Sequence, residues 1–170
     1  LKECIKKKSS ESHNPHLAGH ISHSYQIRDK DQLFTTSVLF PLLEQYFRDF
    51  GKHFIPTLLT RDCEFVLQKL WVNFQNKYEF NPPHTHTGIF SFVVWLTLPT
   101  ESKKEHALKF ASHSNKAQAS DFQFTYLDCL GKVAHYNYEL SPKDEGTMLF
   151  FPAKLMHQVF PFYTSNKTVL

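Results

Sequence analysis

Glycine and cysteine are both scarce in this chain, at five and three of 170 residues. So few glycines exclude a low-complexity or linker-rich polymer. Cys4, Cys63 and Cys129 are odd in number and share no C-x-x-C spacing, which excludes a disulfide framework and a zinc knuckle alike and fits a reducing, intracellular setting. No stretch approaches the ~20 consecutive apolar residues of a membrane-spanning helix. Nor does the charged segment from Lys2 to Glu11 lead into the apolar core of a secretory signal. These absences together lead to the expectation of a cytoplasmic protein with no membrane partner. The chain opens on Leu1 rather than methionine, and its true beginning is expected upstream. Neither sign of charge dominates: a formal charge of +3 and a pI near 8.7 are mildly basic, common in proteins that bind no nucleic acid, and leave nucleic acid open as a partner.

What the chain has in quantity is aromatic side chains. Aromatics make up 15% of the residues, seventeen of them phenylalanine, and hydrophobic residues 41%, enough for one sizeable core but not two. That richness suits sheets packed face to face better than a helix bundle. Residues 1–15 are polar and aperiodic and are expected to be mobile, which leaves 16–170 as a single domain. His13, His16, His20 and His23 recur at short intervals and read as solvent-exposed, while Ile21, His23, Tyr25 and Ile27 alternate as a half-buried strand does. Over 29–51 the period turns helical, with Asp29 or Asp31 placed to cap the start, Gly51 to end it and Pro41 to kink or break it. Strands are expected over 65–78, 89–98, 107–111, 121–130, 132–140 and 147–151, with 112–120 a loop, Gly131 a hairpin position and 141–146 a turn. Many strands after one leading helix, without βαβ alternation, give a mainly-β sandwich or barrel of antiparallel strands, the helix covering the outside of a sheet.

The chemistry gathers at Asn81-Pro82-Pro83-His84-Thr85-His86-Thr87-Gly88. His84 and His86, two apart before a strand-like run, are expected to face the same way on an extended chain, beside a Pro-Pro turn. His157, after Phe150-Phe151-Pro152, offers a third nitrogen donor. Three imidazoles suit a mononuclear site with open positions, compatible with Fe, Zn, Cu or Ni. A structural zinc site would need a fourth ligand, and no cysteine lies near.

The order Trp71-x-Asn73, then Asn81-Pro82-Pro83-His84-Thr85-His86, then Ser91-Phe92-Val93-Val94-Trp95-Leu96, then Glu145-Gly146-Thr147-Met148-Leu149-Phe150-Phe151-Pro152 leading to His157 resembles the Fe(II)/2-oxoglutarate-dependent oxygenases found often in marine bacteriophages, within the prolyl-hydroxylase-like superfamily. The resemblance implies a double-stranded β-helix, or jelly roll, with one or two N-terminal helices on the outer sheet face. It implies Fe(II) on His84, His86 and His157, with 2-oxoglutarate as cosubstrate and molecular oxygen as oxidant, in the bacterial host of a phage. Asn73 and Trp95 are then placed to line the pocket, with Tyr126 a further candidate. The implied activity is hydroxylation of a peptide side chain, a nucleobase or a small metabolite, by a monomer or homodimer.

Two positions depart from that family. His86 stands where most members carry a carboxylate, and three neutral imidazoles would leave the metal its full double charge. The arginine that usually holds the far carboxylate of 2-oxoglutarate has no counterpart near the end, so either a final strand is missing or Lys167 substitutes as a point charge. Two rival readings follow from these departures: a degenerate, cupin-like jelly-roll binding module without catalysis, and a three-histidine cupin-type dioxygenase that does not use 2-oxoglutarate.

Overall fold

The computed structural model describes residues 1–8, 12–51 and 64–170. Cys63 and residues 9–11 of the N-terminal stretch lie outside them. Among the described residues eight strands form, every pairing antiparallel, in agreement with the mainly-β expectation.

Three pieces of sheet make the architecture. Strands β1 (His23–Gln26) and β2 (Trp71–Phe74) pair with Ser24 opposite Asn73. Strand β3 (Asn81–His84) is at the edge of a four-stranded sheet whose other members are β8 (Met156–Val159), β5 (Phe122–Leu127) and β6 (Val133–Tyr138), in that order. Strand β4 (Phe90–Val94) pairs with β7 (Met148–Pro152). Trp95, Leu98, Phe122, Phe124, Leu140 and Phe151 form the main buried cluster, which joins residues of the four-stranded sheet to Phe151 of the β4–β7 pair. A second cluster of Ile27, Leu70 and Val72 is covered by Leu1, Cys4 and Ile5, so that helix α1 (Lys2–Lys6) lies against the β1–β2 pair.

The leading helix is deformed, not broken, next to the proline. Residues 35–39 form a wide π-type turn, and the regular helix α2 (Phe40–Phe50) starts there, with Pro41 in its first turn, where a missing N–H costs nothing. Gly51, at φ 71°, ends it. Of the two candidate caps, Asp29 acts and Asp31 does not. The Asp29 carboxylate accepts from Phe34 N, Thr35 N and Thr35 Oγ1 at 2.6–2.9 Å, whereas Asp31 is exposed. Tyr46 and Phe47 of α2 pack on Phe90, and Tyr46 also on Phe150, at ring separations of 5.1–6.1 Å.

Three expectations need correction. The strand expected over 107–111 is helical: α3 (Ser102–His106) and α4 (Lys109–Ser112) occupy that region. Burial recurs every third residue at Ser102, Glu105 and Ala111, with Leu108 half-buried between, and two of these residues are polar, so apolar spacing alone hides the helical period. The Pro-Pro turn is instead strand. Pro82 and Pro83 sit in β3, whose register slips between Asn81 opposite Val159 and His84 opposite His157. Prolines lack the ladder donor, and an edge strand with a bulge is where a sheet tolerates them. Strand β8, which carries His157, lies in a stretch for which the sequence reading assigns no element. His13 is buried, not exposed, and stacks on Trp71 at 5.2 Å.

Candidate metal centre

Each histidine of the triad is delivered by a different local device. His84 closes β3, and its Nδ1 donates to Pro82 O at 2.7 Å. His157 is the second residue of β8, directly opposite His84, and its Nδ1 donates to Leu155 O at 2.9 Å. With Nδ1 carrying the proton, the Nε2 lone pair of both rings is left for a metal, which is the usual second partner of a ligating imidazole. His86 lies beyond the strand. Its backbone N–H bonds Ala153 O at 2.9 Å, and its ring meets the edge or face of Trp71 at 5.5 Å. The i, i+2 spacing therefore brings His84 and His86 together without a continuous strand, their rings 5.0 Å apart and nearly perpendicular.

A ligand nitrogen from each of the three rings lies within 4.8 Å of the others. His86 Nε2 and His157 Nε2 are 3.1 Å apart. Two nitrogens bound at about 2.1 Å to one ion, at angles between right and tetrahedral, would sit about 3.0–3.4 Å from each other, so the pair fits a common metal. Burial is the main force holding the His86 imidazole down to a pKa of about 4, with repulsion from His157 and His84 adding to it. Burial likewise lowers His157 to about 4, against the opposing bond to Leu155 O. Both rings are neutral at pH 7 and available as ligands. His86 and His157 are therefore expected to take up protons only near pH 4. NMR titration of these two imidazoles in the metal-free protein checks this, and midpoints at the ordinary histidine value of about 6.5 would refute it.

The triad opens on a cavity of about 630 Å³. Asn73 and Trp95 both line it. Asn73 accepts from Ser24 Oγ at 2.8 Å, and Trp95 is 5% exposed and packs edge-on to Phe122. Tyr126 and Lys167 are not among the lining residues: Tyr126 is exposed far along β5 and Lys167 is exposed in the turn before Val169. Sequence reasoning did not assign site roles to Trp71, His13 or Lys69, all of which line the cavity. Trp71 was legible as part of the Trp-x-Asn pattern. His13 carried no signal, because only the fold brings it onto Trp71. Among the described residues, Lys69 is the one lysine or arginine on the cavity wall.

A mainly-β protein with three converging imidazoles and an aromatic cavity defines a class of non-haem metal sites. Residues 69–169 match the family described as "Putative 2OG-Fe(II) oxygenase", and the chain belongs to that family. The match includes all three histidines, and the family implies Fe(II), 2-oxoglutarate and oxygen. No curated protein and no solved structure matches the chain.

Proposed function

We propose that the protein is an Fe(II)- and 2-oxoglutarate-dependent oxygenase that hydroxylates its substrate, with His84, His86 and His157 as the metal ligands. The observation that carries this is the convergence of three imidazoles on one point at the cavity, within a chain of that oxygenase family. Bound iron with 2-oxoglutarate would supply oxidation of a substrate C–H bond, coupled to decarboxylation of the cosubstrate.

The chain's own residues orient and enclose. Pro82 O and Leu155 O fix the tautomers of His84 and His157. Phe122, Phe124 and Phe151 pack around His157, which is 4% exposed, and exclude water from that side. Trp95 walls the cavity, and Asn73 offers its amide within it. Lys69 takes the electrostatic part read for Lys167 in the sequence, facing the dianionic cosubstrate from the cavity wall. The sheet order β3-β8-β5-β6 facing the β4-β7 pair supports the double-stranded β-helix reading.

Anaerobic addition of Fe(II) and then 2-oxoglutarate is expected to give the weak visible charge-transfer band of bidentate chelation. Lys69→Met should raise the 2-oxoglutarate concentration needed for half the band by about tenfold, the scale of one charge-assisted contact. Iron binding with no band at any cosubstrate concentration would favour the cupin-type reading, and no iron binding would remove the metal assignment.

A further inference from the structure

An aromatic surface stands at the end of the β3–β8 pair away from the triad. His84 opposite His157 marks one end of that pair, and Asn81 opposite Val159 the other. At the second end Tyr78 leads into β3, Tyr163 follows β8, and Phe110 arrives on α4. The three rings form a row: Tyr78 lies 5.6 Å from Tyr163 at 61°, and Phe110 lies 4.8 Å from Tyr163 at 77°. Tyr163 is half-buried, whereas Tyr78 and Phe110 are 63% and 62% exposed. Segments distant in the chain thus gather rings on the surface, outside either buried cluster.

The backbone at Tyr78 singles this surface out. Its φ is 72°, in the left-handed region that glycine enters freely and a bulky residue only under strain. Two bonds hold it there, from Glu79 N to Asn76 O and from Tyr78 N to Phe162 O, each at 3.1 Å. A glycine would close the same turn. The turn therefore accounts for the conformation but not for the tyrosine, and a strained residue that leaves most of its ring in solvent points to a binding role. Charge at the same place has one sign. Lys77 Nζ lies 5.2 Å from the centre of the Tyr78 ring, and a bond from Thr168 Oγ1 to Asn76 Oδ1 joins the segments that carry Lys167 and Lys77. Lys109 adjoins Phe110 on α4. Among the described residues none of these three lysines is in an ion pair. The carboxylates of the region are instead engaged by backbone amides: Glu79 accepts from Ser22 N and Asn76 N at 3.0 and 2.8 Å, and Glu105 from Tyr163 N and Thr164 N at 2.8 Å.

We propose that this surface binds single-stranded nucleic acid, with bases stacked on Tyr78 and Phe110 and phosphates held by Lys77, Lys109 and Lys167. Every base has a π-face that an exposed ring can meet, and lysines follow a phosphate backbone without reading sequence. The ligand is therefore recognised as an unpaired strand and not by its sequence. A duplex keeps those faces inside its own stack, and an acidic peptide would answer the lysines but leave the two exposed rings unused. The site lies at the far end of β3 and β8 from the histidines, so it stands whether or not the triad holds iron.

The probe is a fluorescein-labelled oligothymidylate of about ten nucleotides, titrated by anisotropy against the full chain, with an abasic strand of equal length as the charge-matched control. The strand with bases should bind at least about tenfold more tightly than the abasic one, the difference being stacking. Tyr78→Gly relieves the backbone strain against a looser unfolded chain and should melt within about 3 °C of wild type, yet bind oligothymidylate about tenfold more weakly. Phe110→Ser, at an exposed ring, should weaken binding to a similar extent. Lys77→Gln combined with Lys167→Gln should flatten the slope of log affinity against log salt by about 1.4, at about 0.7 for each phosphate contact. Equal binding of the abasic strand, wild-type affinity in both aromatic variants, or no binding of oligothymidylate at low salt would overturn the proposal.

Discussion

Replacing His157 with alanine is expected to abolish metal binding, weakening it by more than about 100-fold, since disturbing even the partners behind metal ligands typically costs 10- to 100-fold. The argument is positional. His157 stands opposite His84 across the β3–β8 pair, its Nε2 is 3.1 Å from that of His86, and its Nδ1 is tied to Leu155 O. Its ring centroid is 4.3 Å from His84 and 4.9 Å from His86. Removing it leaves two nitrogens, one at the end of β3 and one just beyond it. His157 also stacks on Phe122 at 5.7 Å, so alanine leaves a void. His157→Gln keeps most of the volume and is the companion variant. Calorimetric titration with Fe(II) or Co(II) measures the effect, and a glutamine variant that still binds metal at near wild-type strength would show that His157 is core and not ligand.

The largest loss of stability is expected from Glu105→Ala. Glu105 is fully buried in α3, and its carboxylate accepts from Tyr163 N and Thr164 N at 2.8 Å and from Thr164 Oγ1 at 2.5 Å. Those bonds tether the 160–164 segment, which follows the strand bearing His157, to the helical crossing. Alanine leaves the N–H groups of half-buried Tyr163 and exposed Thr164, and the Thr164 hydroxyl, without their acceptor, and water reaches only part of them, at about 1–3 kcal/mol for a donor that stays buried. A net loss of about 2–4 kcal/mol, or roughly 5–10 °C in the thermal midpoint, is the expected outcome. Glu105→Gln retains one acceptor oxygen and should lose less. A change below about 1 kcal/mol in the alanine variant would mean that water or a rearranged loop satisfies those donors.

Much of the site was legible because its signals are local. H-x-H spacing, a phenylalanine-proline pair and a distal histidine are properties of a few neighbouring residues. The hairpin at Gly131 was legible for the same reason: φ is 77° there, and Asp128 Oδ1 accepts from Leu130 N and Lys132 N, which is turn chemistry written in adjacent residues. The helix over 102–112 was not legible, since its buried face is built from Ser102 and Glu105, whose partners Leu140 O and Thr164 lie 38 and 59 residues away. The same holds for Asp121. Its burial raises its pKa against bonds from Asn137 Nδ2 and His106 Nε2, groups that no local pattern connects to it.

By itself the sequence determined the mainly-β class, the irregularity of the leading helix next to Pro41 and the identity of the three histidines. Apolar alternation, a missing proline N–H and side-chain type act within a few residues and need no partner from elsewhere. Tertiary structure alone decided that Pro82 and Pro83 make a bulged edge strand, that His86 is held by Trp71 and Ala153 O, and that Lys69, not Lys167, lines the cavity. Each of these depends on which distant strand edge the chain meets, and the energy that selects that meeting belongs to long-range pairing and burial rather than to any one residue.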